Sequence, residues 1–81
     1  MKSVNQIIHK KLGKHKAVGL AYKEEGVIFI EQNLKGINHL ETLIHEIVHI
    51  QNPKWSEIKV KGHSAEMAKL LWDNNYRKVE F

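Results

Sequence analysis

Cysteine is absent from the 81 residues. Disulfides and cysteine-based zinc sites are thereby excluded together, and any metal must be held by histidine, glutamate or aspartate. Long apolar runs are missing too. No stretch approaches the roughly 20 apolar residues of a membrane span. The opening MKSVNQIIHKKLGKHK lacks the apolar segment of a secretory signal. These absences predict a cytoplasmic protein with no membrane partner. Internal repeats and low-complexity linkers are also missing, so residues 1–81 are expected to form one domain with a small core and modest stability. Charge of one sign is only slightly in excess, at +4, which favours acidic partners or nucleic acid without singling out either.

What is present reads as short elements. Ser3 is placed to cap a helix in which Val4, Ile7, Ile8 and Leu12 recur at helical spacing and Gly13 marks the end, which predicts a helix over 3–12. AVGLAYK and GVIFIE, joined by EEG, predict a β-hairpin. Asn38 with Glu41 three residues on matches a relaxed capping box, and the helix it opens should run to Gln51, where Asn52-Pro53 ends it. KWSEIKVKG reads as a loop or short extended piece. Ser64 then caps a last helix with Ala65, Ala68, Leu71 and Trp72 facing inward and DNN at 73–75 ending it. Helix, hairpin, helix, helix is an α+β order with a small antiparallel sheet.

The chemistry concentrates in LIHEIVHIQ, Leu43 to Gln51. With His45 set at 0° on a helix, His49 falls near 40° and Glu46 near 100°, while the apolar residues occupy roughly 160° to 300°. Both imidazoles therefore lie at the border of the buried face, close enough to reach one ion. Glu46 points away from that shared direction. It is poorly placed as a ligand and well placed to hold a water on the metal, which is the division of labour in the His-Glu-x-x-His peptidase motif. Scrambling this composition produces the five-residue pattern in roughly 4% of chains, so the helical setting carries as much weight as the match. A polar helix rich in histidine is the bland alternative.

A catalytic zinc usually takes three protein ligands and keeps one position open. Downstream candidates are Glu57, His63 and Glu66. Thirteen residues separate His49 from His63, enough for a loop to turn back, and His63 falls at the expected start of the last helix. TLIHEIVHI followed by a loop and GHSAEMAKLLW resembles the SprT-like zinc metallopeptidases, and GVIFIEQNLK matches more weakly the strand and turn leading into their active-site helix. The resemblance implies a minimal zincin-like domain, a zinc cofactor, peptide or protein substrates, His45, His49 and His63 as ligands and Glu46 as the base. Met67 stands where the family usually has a bulky aromatic, which makes it a packing position. Glu66, three residues after His63, is the alternative third ligand or a partner of the ligating histidine.

Other residues carry weaker expectations. GVIFIE could lie at the cleft edge and pair with an extended substrate. Tyr22 and Tyr76 are hydroxyl donors that more simply pack, and Trp55 and Trp72 read as anchors. His39 reads as an exposed first-turn residue. His9 and His15 flank a lysine-rich stretch, Lys10, Lys11, Lys14 and Lys16, whose lesser reading is a nucleic-acid contact. The function these features predict is zinc-dependent hydrolysis of peptide bonds through a metal-bound water. The alternative is a non-catalytic zinc-stabilised binding module, in which the metal supplies folding energy to a small core.

Overall fold

The computed structural model describes residues 3–13 and 17–79. Their order is β1 (Gln6–Lys10), β2 (Gly19–Tyr22), β3 (Val27–Glu31), α1 (Gly36–Gln51) and α2 (Glu57–Asp73). The fold is α+β, with a three-stranded mixed sheet and two helices. The expected helix over 3–12 is instead a strand. Its β-branched Ile7 and Ile8 suit a pleated surface better than a helix, and β1 gains a parallel partner in β3, with Gln6 opposite Val27 and Lys10 opposite Glu31. Four apolar residues at helical spacing could not reveal that partner.

The hairpin of β2 and β3 forms as expected, antiparallel, with Gly19 opposite Ile30 and Tyr22 opposite Val27. The sheet order is β1-β3-β2. GVIFIE is therefore the central strand, and the edge expected of it belongs to β2. The Glu31 carboxylate fixes the far end of the sheet. Its two oxygens accept from the backbone N–H of Leu12 at 2.8 Å and of Asn33 at 2.9 Å, and the Leu12 side chain is fully buried.

Helix α1 begins earlier than Asn38. Gly36 takes φ of 67°, a left-handed turn that glycine enters without steric cost, and this turn, with no side-chain cap at Lys35, starts the helix. Asn52 ends it as anticipated, its backbone N–H reaching Val48 O at 2.9 Å. Helix α2 begins seven residues before the expected cap Ser64. Ser56 is the cap, its Oγ accepting from Lys59 N at 3.2 Å. Ser64 lies buried in mid-helix, its hydroxyl donating to Val60 O at 2.6 Å, so its polarity is satisfied locally. Gly62, at the end of the expected loop KWSEIKVKG, lies inside the helix. It costs the helix about 1 kcal/mol relative to alanine, and the packing of Val60, Ser64 and Ala68 on either side outweighs that.

Helix α1 is the middle layer. Ile44 and Val48 pack with Val60 and Ala68 of α2, whereas Ile50, with Leu43 and Ile47, packs with Ile28 and Ile30 of β3. The broad apolar face thus divides into a flank toward the sheet and a flank toward α2, leaving one polar stripe uncovered.

Candidate metal centre and cleft

That stripe is the floor of a cleft of about 610 Å³. Asn38, Glu41, Thr42, His45 and Glu46 of α1 lie along it. By helical spacing they occupy roughly 320° through 0° to 100° on the scale set by His45, the sector the two packings leave open. One wall is the start of β2 with Ala17, Val18 and Gly19, and the other is α2 with Glu57 and Lys61. The cleft follows from three layers sharing one central helix.

His45, His49 and Glu57 meet at one end. Their side-chain donor atoms form a group able to hold a metal ion. His45 Nε2 lies 2.8 Å from Glu57 Oε1, and His49 Nε2 lies 2.8 Å from Glu57 Oε2. The two Nε2 atoms are 3.1 Å apart, with ring planes inclined at 70°. With the carboxyl ionised, no placement of protons on the two rings satisfies all three contacts. Two N–H groups bonding to Glu57 would face each other, and removing either proton would set a lone pair against a carboxylate oxygen. A cation at their focus resolves the conflict. Tetrahedral zinc ligands at about 2.0–2.2 Å lie roughly 3.3 Å from one another, a few tenths of an ångström beyond the 2.8 Å and 3.1 Å contacts seen here. Two imidazoles and a carboxylate suit zinc and also other divalent first-row metals.

Glu57 meets the histidines because of where α2 starts. Counted at 100° per residue, Glu57 lies at roughly the centre of the Val60, Ser64 and Ala68 face, while His63 is about 120° and Glu66 about 180° round the helix from Glu57. Burying that small-residue face against α1 drives Glu57 inward. His63, the third ligand implied by the family resemblance, is exposed, and its ring packs on Trp55 with centroids 4.8 Å apart. Glu66 is exposed on the opposite side of α2. The structure therefore brings together His45, His49 and Glu57, and leaves His63 and Glu66 outside the group.

Glu46 occupies the sheet side of the stripe. Burial lifts its carboxyl above the ordinary value of 4.5, against the opposing influence of His45 and His49, while Glu57 adds to the rise. The start of β2 lies directly on it. A Cβ on Gly19 would come within 2.9 Å of Glu46 Oε2 and 2.8 Å of Thr42 Cγ2. No sequence pattern marks Gly19 or Thr42, because their meeting depends on how the sheet docks on α1.

The remaining expectations resolve individually. Tyr22 packs edge-on against Phe29, with ring centroids 5.4 Å apart, and neither it nor Tyr76 lines the cleft. Met67 is 45% exposed rather than packed. Trp55 is an anchor of the α1–α2 core, and Arg77 covers Trp72 at 3.7 Å. His39, expected to be exposed, is buried and its Nε2 meets His9 Nε2 at 2.9 Å. His15, Lys14 and Lys16 lie outside the described residues. Among the described residues no helix is long and apolar enough to cross a membrane. Compared with models of known protein families, with curated proteins and with solved structures, the chain matches none.

Proposed function

We propose that the chain is a zinc-dependent peptidase whose ligands are His45, His49 and Glu57 and whose general base is Glu46. The observation that carries this reading is the convergence of two imidazole nitrogens 3.1 Å apart, each 2.8 Å from one oxygen of the Glu57 carboxylate, at the end of a cleft that also holds a partly buried glutamate. The similarity of Thr42–Ile50 and Gly62–Trp72 to the SprT-like metallopeptidases supports the motif, with Glu57 taking the ligand position first expected of His63.

Zinc supplies a Lewis acid that activates water and polarises the peptide carbonyl. The chain's own groups do the rest. The carboxylate of Glu46, lifted toward neutrality by burial, accepts the proton of the attacking water and returns it to the departing amine. Its adjacency to His45 keeps it beside the ligands without joining them. The substrate lies extended along β2, whose outer edge carries no strand among the described residues, and main-chain hydrogen bonds along that edge hold it.

A second reading has one observation in its favour. Glu57 joins α2 to the two histidines of α1, so an ion there ties the helices together and contributes folding energy as in a non-catalytic module. One experiment separates the two. Zinc-loaded protein should cleave unfolded casein, lose that activity to a chelator and regain it with zinc. Glu46→Gln should hold the same zinc content and cleave nothing. Zinc binding without cleavage by the unaltered protein supports the structural tie. Undiminished cleavage by Glu46→Gln refutes the role of Glu46.

A further inference from the structure

Among the described residues that line the cleft, Lys61 is the one lysine or arginine, beside Glu41, Glu46 and Glu57. Three other lysines of the described surface have partners. Lys69 pairs with Asp73 at 2.6 Å, Lys59 lies over Trp55 at 4.3 Å and Lys10 lies over Phe29 at 4.5 Å. Lys61 has no ion pair among the described residues. Glu57, one turn before it on the same helix, has its oxygens turned to His45 and His49.

We infer that Lys61 is a specificity residue that binds a carboxylate of the peptide lying in the cleft, so that the favoured substrates are acidic near the cleaved bond. The inference rests on the peptidase reading for its substrate and on the cleft lining for its chemistry. Four residues of helix place Lys61 about 6 Å along α2 from Glu57, and an extended peptide advances about 3.3 Å per residue. With the reach of its own side chain, the ammonium meets a group one to three residues from the scissile bond. A carboxylate arriving there gains a charge-assisted hydrogen bond. It also offsets the positive charge that a divalent ion brings to the same end of the cleft. The carboxylate can belong to an aspartate or glutamate side chain or to a peptide C-terminus.

The test is a set of matched peptides carrying Glu, Gln or Lys at each of the three positions on either side of a fixed bond, each made as the free acid and as the amide. Cleavage is measured with the zinc-loaded protein. Binding of the same peptides is measured by fluorescence anisotropy with zinc-loaded Glu46→Gln, so that affinity is read whether or not cleavage occurs. The expected result is a preference of about two- to fivefold for an acidic over a neutral peptide, as for a partly solvated ion pair, falling with added salt. Lys61→Met should bring the ratio near one, Lys61→Glu should invert it and Lys61→Arg should preserve it. A preference that follows Glu over Gln identifies a side-chain carboxylate. One that follows free acid over amide identifies the C-terminus. Binding with the same preference but no cleavage leaves Lys61 as the carboxylate-binding group of the cleft and removes the peptidase reading with its substrate specificity. Equal binding of acidic and neutral peptides, or a preference unchanged in Lys61→Met, overturns the inference.

Discussion

Gly19→Ala tests whether the docking of the sheet on α1 positions Glu46. The added methyl would lie 2.8 Å from Thr42 Cγ2, 2.9 Å from Glu46 Oε2 and 3.1 Å from Glu46 Cγ. Carbon contacts are most favourable at about 3.5–4.0 Å, so something must move by roughly 0.7 Å or more. Thr42 is β-branched and held in the helix, so its methyl yields little. The movement falls on Glu46 or on the separation of β2 from α1. Gly19 does not occupy the left-handed region, so the effect is steric rather than a change of backbone freedom. Overpacking of this kind costs about 1–3 kcal/mol, and in a chain of this size each kcal/mol lowers the melting temperature by about 4–8 °C. A displacement near 1 Å of a catalytic group can cost about a hundredfold in rate. Zinc content should be retained, because His45, His49 and Glu57 lie on the other side of the stripe. Thermal melting, zinc stoichiometry and casein hydrolysis measure the three quantities. An alanine variant that melts with the native protein and cleaves at its rate would show that β2 does not press on the glutamate.

Two further outcomes follow from the same packing. Glu57→Ala should abolish the rise in melting temperature produced by zinc, worth about 2.7 kcal/mol at a hundredfold excess over Kd, whereas His63→Ala should keep it; the reverse pattern in a zinc titration followed by thermal melting would restore His63 as the third ligand. The backbone N–H groups of Leu12, first, and of Asn33 hold the Glu31 carboxyl below its ordinary value of 4.5. A carboxyl lowered in the fold contributes stability above its unfolded value, and that contribution is lost as pH falls through the folded one. The stability advantage of the native protein over Glu31→Gln should therefore shrink on acidification below about pH 4.5, and an advantage independent of pH in melting curves would remove the carboxylate's role.

The motif helix was the most legible part of the chain. Sixteen residues of helix, closed by Asn52-Pro53, carry a periodicity that placed His45, His49 and Glu46 on a polar stripe before any partner was known. The hairpin was legible for a similar reason, since β2, its turn and β3 are contiguous. The first strand was not. Val4, Ile7, Ile8 and Leu12 satisfy helical spacing, yet parallel pairing with β3 joins residues about twenty positions apart, and such pairing leaves no local mark. The start of α2 is not legible locally, because KWSEIKVKG lacks a clear helical period and Ser64 resembles a cap. Only the burial of Val60 and Ala68 against Ile44 and Val48 shows that the helix runs through both.

The order of the chain by itself determined which atoms were available for metal chemistry. Without cysteine, a pair of imidazoles four residues apart on a helix, with a carboxylate between them, was the strongest donor set on offer. Tertiary structure decided which third side chain joined them. Glu57, His63 and Glu66 are similar in sequence distance and differ in direction, and direction is set by which face of α2 is buried. Small residues at 60, 64 and 68 let the two helices approach closely, and that contact turns Glu57 toward the histidines while His63 rests on Trp55.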